Sequence, residues 1–235
     1  MTNNDWVEAQ VVDIIQESPV VRSYILKPTH FLEHKAGQHY ELRLRSEDGY
    51  EAARPYSAAP TTGPEGTVQL TIQHVPNGEV SSYVHNDLAV GDNVEIRGPF
   101  GRFFVWEPSN HSPILLIGGG SGIVPLASIF DAHEKSHVTT PMRVIYSSHT
   151  FDDIIYKDLF LHNDAVAITL TRDAPNDWHG QVGRLTESFI KDVLDQFETP
   201  AICYICGMSP FVSAVNEALQ ILGIPAASIK TERFG

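Results

Sequence analysis

Between Ile114 and Pro125 the chain reads ILLIGGGSGIVP, a short aliphatic run that meets Gly118, Gly119, Gly120 and Gly122. Four aliphatic residues predict a buried strand, and Ile123–Glu134 predicts the helix that follows. Glycines at such a turn let backbone N–H groups at a helix N-terminus approach a phosphate, and the helix dipole favours negative charge there. Pro125 suits a first helical turn, where the N–H it lacks has no partner anyway. The implied chemistry is the binding of a nucleotide pyrophosphate. The spacing is G-x-G-x-x-P rather than G-x-G-x-x-G, and no G-K-[ST] follows, which argues against an NTPase loop. Taken alone, the stretch also fits a glycine-rich turn that holds no ligand.

Two other patterns suggest chemistry and lose it on inspection. Cys203 and Cys206 form C-x-x-C within AICYICG, an apolar run that predicts a strand. Residues three apart on a strand point to opposite faces, so the sulfurs are not expected to pair or to share an ion. Nor do two cysteines supply the four ligands that an iron–sulfur cluster usually takes. His30-Phe31-Leu32-Glu33-His34 matches H-x-x-E-H, a pattern of some zinc peptidases. It occupies a short connection between Pro28 and Gly37, which is no helix able to present both imidazoles on one face.

The elements around these motifs change rhythm midway. Up to residue 105, segments such as VEAQVVDII, VVRSYILK, QHYELRLR, TVQLTIQHV and DNVEIRG alternate apolar and polar residues between turn residues. They predict an antiparallel β-barrel with one helix, Val80–Leu88. From 112 onward, apolar runs near 114–117, 143–147, 166–170 and 201–205 alternate with helical stretches near 123–134, 186–196 and 209–222. That alternation predicts an α/β domain whose parallel sheet is covered on both faces. Expected domains are 1–107 and 112–235, with Glu107–His111 as the hinge.

Composition narrows the partners. The 235 residues are 42% hydrophobic and 19% charged, as in ordinary globular chains. With 16 Lys and Arg against 29 Asp and Glu, the net charge is −13 and no basic stretch occurs, which disfavours nucleic acid and anionic membrane. No run approaches the roughly 18 apolar residues of a membrane span, and MTNNDW is no signal peptide, so a cytoplasmic location is expected. Metal binding is not expected.

The motifs also fall in a specific order. Arg54-Pro55-Tyr56-Ser57 precedes Gly78-Glu79-Val80-Ser81-Ser82 and Gly98-Pro99-Phe100-Gly101; then come GGGSGIVP, Thr171-Arg172, Cys206-Gly207 and Glu232-Arg233-Phe234. In this order the chain resembles the ferredoxin–NADP reductase family of flavoproteins, which includes reductase components of bacterial oxygenases, over nearly its whole length. The resemblance implies an N-terminal FAD-binding barrel and a C-terminal NAD(P)-binding domain. Arg54 would then pair with the FAD pyrophosphate through its guanidinium fork. Beside Pro55, Tyr56 would lie against the isoalloxazine, and Ser57 would donate toward flavin N5. The backbone of Thr71, Ile72 and Gln73 would run along the flavin. Gly78, Val80, Ser81 and Ser82 would present a helix N-terminus to the pyrophosphate, with Ser81 or Ser82 as its cap.

In the second half, Gly120, Ser121 and Gly122 would take the pyrophosphate of the nicotinamide cofactor. Cys206 would border the nicotinamide, with Gly207 leaving room for it. The family often carries a hydrophobic residue, frequently Met, several positions after C-G; here Met208 follows at once and Phe211 takes the later place. Ser57, Cys206 and Glu232 would be the catalytic set along the hydride path, and Phe234 would cover the flavin. Thr171 and Arg172 resemble a pair that grips the 2′-phosphate of NADPH, with Arg184 assisting, although NADH-using relatives also carry Arg there. The donor is therefore NADPH or NADH, with a slight lean to NADPH. The implied activity is hydride transfer to FAD, then electron transfer to a separate acceptor such as a ferredoxin or an oxygenase component. Two alternatives stand beside it: reduction of free flavin as a substrate, and a non-catalytic module that senses flavin or nucleotide.

Overall fold

The computed structural model describes residues 5–30, 33–45, 49–198 and 201–234. Its first half contains β1 (Val7–Ser18), β2 (Val21–Pro28), β3 (His39–Arg45), β4 (Glu51–Ser57), β5 (Val68–Gln73), α1 (Glu79–Asn86) and β6 (Asn93–Phe100). The strands form one antiparallel sheet in the order β4-β3-β6-β1-β2-β5. A bridge between Ala58 and Leu70 joins its two edge strands, closing the barrel. Alternation explains the interior: Val7, Ala9 and Val11 point inward while Glu8 and Gln10 face water. Val80 and Val84 of α1 plug the same core.

The second half contains β7 (Ile114–Gly119), α2 (Ile123–Ser136), β8 (Met142–Ser148), α3 (Lys157–Phe160), β9 (Val166–Leu170), β10 (Gln181–Val182), α4 (Glu187–Leu194), β11 (Ile202–Met208), α5 (Ser209–Ile221) and β12 (Ile229–Phe234). All six strands are parallel, in the order β10-β9-β8-β7-β11-β12. One apolar cluster covers each face; Cys206 belongs to one and Cys203 to the other, so the C-x-x-C sulfurs do point apart. The expected antiparallel barrel and parallel α/β sheet are both present. The elements that sequence pattern missed are short: α3 has four residues and β10 two, too few to show a period.

Local details refine the expectations, and the serine caps are corrected. Arg54–Ser57 lies in a strand, β4, which pairs with β3 along its whole length. The barrel helix starts at Glu79, with Gly78 at its N-cap and no side-chain cap. Ser81 is therefore its third residue and does not cap; its hydroxyl folds back to accept from the Val75 N–H at 3.2 Å. Ser82 does not cap either, its hydroxyl lying 3.4 Å from His74 Nε2. In the H-x-x-E-H stretch, Phe31 and Leu32 lie outside the described residues, while His34 Nδ1 sits 3.2 Å from the Tyr40 hydroxyl.

The halves share one core. Val21 from the barrel, and Phe104 and Trp106 from the segment after β6, are buried in the cluster on the α2 face of the parallel sheet. Tyr204 of β11 donates to the Val105 carbonyl at 2.9 Å, and Lys35 pairs with Glu107. The chain thus enters the second core before the Glu107–His111 stretch.

Candidate functional site

Ligands of open α/β sheets bind outside the carboxyl ends of the strands, where the chain changes direction across the sheet. Here that point lies between β7 and β11: from β7 the chain winds to β8, β9 and β10, then returns to β11 and β12. A cavity of about 670 Å³ opens there. The Gly120–Gly122 turn joins β7 to α2 at its floor. Gly120 has φ +55° and faces open space, so it holds a conformation that other residues rarely adopt and leaves room for a ligand. Gly122 serves packing instead. A Cβ there would sit 2.4 Å from the Cys206 carbonyl oxygen, so only glycine lets the turn press against the end of β11.

The residues expected near the hydride path come from three separate stretches, and the fold gathers them. Cys206 and Glu232 are register partners on adjacent strands. Ser57 ends β4 on the barrel side, and its hydroxyl is near enough to the Glu232 carboxyl to favour the charged form. Burial wins over that contact and pushes the Glu232 carboxyl up to about 7. Burial, and then the neighbouring Glu232, hold the Cys206 thiol well above its usual range, so it is a neutral thiol at physiological pH. The Ser57 hydroxyl is buried and makes no well-formed hydrogen bond. Such a group normally carries a free-energy penalty, and a ligand acceptor beside it removes that penalty. The buried Ser57 donor therefore fits a flavin ring edge that accepts a hydrogen bond.

The other expected flavin residues come from β4, β5 and the start of α1. Tyr56 is partly buried against the barrel core, and burial raises its phenol to about 12. Pro55 and Arg54 are exposed. Arg54 Nη2 lies 3.6 Å from Glu79, the first residue of α1, so β4 and the Gly78–Ser82 turn do converge. The Val80 side chain is buried in the barrel core, which leaves only its backbone N–H for a ligand. On β5, the side chains of Thr71 and Ile72 are buried, while Gln73 lines the large cavity from the barrel side.

The far end of the cavity is cationic. Thr171, Arg172 and Arg184 line it, together with Ser121 and Phe234. His149 Nδ1 lies 3.0 Å from the Thr171 hydroxyl. Among the described residues neither Arg172 nor Arg184 is in an ion pair. Asp153 also lines the cavity, with its carboxylate bonded by the N–H and hydroxyl of Thr150. Gly207 abuts Phe211, which also packs on Gly119 and shapes the cavity wall. Sequence reasoning missed Val20, Val21 and Ile155 as lining residues, because only the docking of the two halves brings them there. His149 was findable, since it directly follows β8 at the carboxyl edge of the sheet.

Comparison with known proteins agrees with this layout. Residues 8–105 match the family described as oxidoreductase FAD-binding domain, and residues 116–217 match the oxidoreductase NAD-binding domain. NADH-cytochrome b5 reductase 1 of Candida albicans is 32% identical over 223 residues, covering 92% of this chain and 75% of that protein. NADH-cytochrome b5 reductase 2 of Lodderomyces elongisporus is 30% identical over 177 residues, covering 72% of this chain. The match spans 58% of that relative, less than two thirds of its length. The solved structure of Amycolatopsis cytochrome P450 reductase GcoB superposes with a TM-score of 0.83 at 26% identity, covering 98% of this chain and 70% of that one.

Proposed function

The chain belongs to the ferredoxin–NADP reductase-like family of FAD-dependent NAD(P)H oxidoreductases, and on that premise we propose that it reduces a separate electron-transfer protein at the expense of NAD(P)H. The observation that carries this reading is the meeting of Ser57 from the barrel with Cys206 and Glu232 from the parallel sheet. FAD, when bound, would supply the redox chemistry, taking the two electrons and one proton of a hydride and passing the electrons to the acceptor while the proton is released. The protein's residues bind, align and exclude water. Arg54 and the N–H groups at the start of α1 neutralise the FAD pyrophosphate, and Arg54 exchanges its Glu79 contact for the phosphates. Tyr56 fixes the plane of the flavin, and Ser57 donates toward its N5 edge. The Gly120–Gly122 turn holds the nicotinamide cofactor's pyrophosphate. Cys206, as a neutral thiol, packs beside the nicotinamide without adding charge. Glu232 is able to hold or release a proton near pH 7, which suits a group beside a centre that gains and loses charge.

Arg172 and Arg184 favour a cofactor with an extra phosphate, so NADPH is the proposed donor, with NADH as the competitor. The acceptor is a small iron–sulfur or haem protein, by analogy with the acceptors named for relatives. Anaerobic mixing of flavin-loaded protein with each cofactor tests the reading. Rapid loss of flavin absorbance, faster with NADPH, is expected; no loss with either cofactor refutes it.

A further inference from the structure

A closed circuit of hydrogen bonds crosses the junction between the halves. Tyr156 donates its hydroxyl to Thr71 Oγ1 on β5 at 2.5 Å. Thr71 Oγ1 is 2.7 Å from Ser23 Oγ on β2, and Ser23 donates to Glu17 Oε1 on β1 at 2.6 Å. Glu17 Oε2 then accepts the backbone N–H of Tyr156 at 3.4 Å. Tyr156 is thus held by both its ends against three barrel strands. It is also one of few non-glycine residues with a left-handed backbone, φ 57° and ψ 50°. Such a conformation costs free energy and persists where surrounding contacts hold it.

The circuit is placed to control the reaction centre. Thr71 follows Leu70, which bridges Ala58, the residue after Ser57; Ala59 N–H also bonds the Gln69 carbonyl at 2.9 Å. Fixing Thr71 therefore fixes the strand end that carries Ser57. On the other side, Tyr156 follows Ile155, whose N–H bonds the Tyr146 hydroxyl of β8 at 3.2 Å. That contact ties Tyr156 to the parallel sheet bearing Cys206 and Glu232. The cavity wall runs through the same segments, since Ser18, Gln73 and Ile155 line it beside Glu17, Thr71 and Tyr156.

We infer that Tyr156 is a positioning residue for hydride transfer: its hydroxyl bond to Thr71 sets the separation between Ser57 on the barrel and the Cys206–Glu232 pair on the sheet. The inference rests on the proposed transfer from NAD(P)H to FAD. A tyrosine serving only as core filler would be replaceable by phenylalanine, because the ring packs against Phe160 whatever its substituent. An aligning hydroxyl is not replaceable, because displacement of reacting groups by a fraction of an ångström lowers the rate steeply.

Tyr156→Phe, Thr71→Val and the double variant test it. In anaerobic rapid mixing, Tyr156→Phe should slow flavin reduction about tenfold, with the cofactor concentration at half-saturation within twofold of wild type. The double variant should be no slower than Thr71→Val alone, since that substitution already breaks the Tyr156–Thr71 bond along with the Thr71–Ser23 bond. In flavin-free protein, amide exchange should quicken in peptides spanning 17–23, 69–73 and 154–158, with the rest of the parallel sheet unchanged. Tyr156→Phe reducing within twofold of wild type, additive losses in the double variant, or unchanged exchange overturns the inference while leaving the proposed activity intact. Failure of the wild type itself to be reduced overturns the activity, and the inference falls with it.

Discussion

Glu232→Gln should make the protein more stable, by an amount that grows as pH rises from about 4.5 to 7. Glu232 sits on β12 opposite Cys206, and burial pushes its carboxyl from an ordinary 4.5 up to about 7. The folded state therefore binds this proton more tightly than the unfolded chain does. Between pH 4.5 and 7 it holds more protons than the unfolded state, so stability falls as pH rises through that window. With about 1.4 kcal/mol for each tenfold change in proton affinity, the raised value costs the fold about 3 kcal/mol at pH 8, where the buried carboxylate is ionised, and about 1 kcal/mol at pH 5, where only the unfolded chain ionises. Glutamine keeps the shape and the capacity to meet Ser57, but carries no charge. Urea unfolding of the flavin-free protein at the two pH values, followed by tryptophan fluorescence, should show the variant gaining about 3 kcal/mol at pH 8 and about 1 kcal/mol at pH 5. An equal gain at both, or a loss at pH 8, refutes the assignment of a buried ionised carboxylate. The same variant should reduce flavin more slowly, because glutamine can neither take up nor release a proton beside the flavin.

Two further predictions come from single contacts. Ser57→Ala removes a buried hydroxyl without a well-formed partner, so flavin-free protein should be as stable as wild type or gain up to about 1 kcal/mol in urea unfolding. Flavin reduction in rapid mixing should nonetheless fall by about a hundredfold, the scale for loss of one aimed donor. Gly122→Ala would drive a Cβ to 2.4 Å from the Cys206 carbonyl oxygen. Thermal unfolding should show a loss of about 2 kcal/mol, and the KM for the nicotinamide cofactor should rise because the turn must withdraw from β11.

What was legible in the chain followed from local chemistry. The barrel and the parallel sheet each have a period that neighbouring residues reveal, and Gly120 and Gly122 announce a turn that side chains would obstruct. Cys203 and Cys206 could be dismissed as a pair from strand geometry alone, and their separation onto opposite faces follows the same rule. The misreading of Ser81 and Ser82 as caps came from residue type: both are good capping residues, but they lie three and four positions past the actual cap. Serine is a good cap only where the backbone has not yet turned helical. Here Gly78 holds that position and the serines fall inside the first turn.

The illegible part is the junction, and the reason is physical. Val21, Phe104 and Trp106 look like barrel or linker residues in sequence, yet they complete the apolar cluster on one face of the parallel sheet. No periodicity marks a side chain that is buried against a different domain. The same holds for Tyr156 and Thr71, 85 residues apart, whose contact exists only after docking. A core shared across the junction also changes how the two halves work together. Domains joined by a polar linker are free to swing, whereas apolar burial between them makes separation costly. Ser57, Cys206 and Glu232 are therefore held at a separation set by packing rather than found by diffusion. For the proposed transfer, whose rate depends on the approach of two rings, a shared core of this kind would hold the approach fixed.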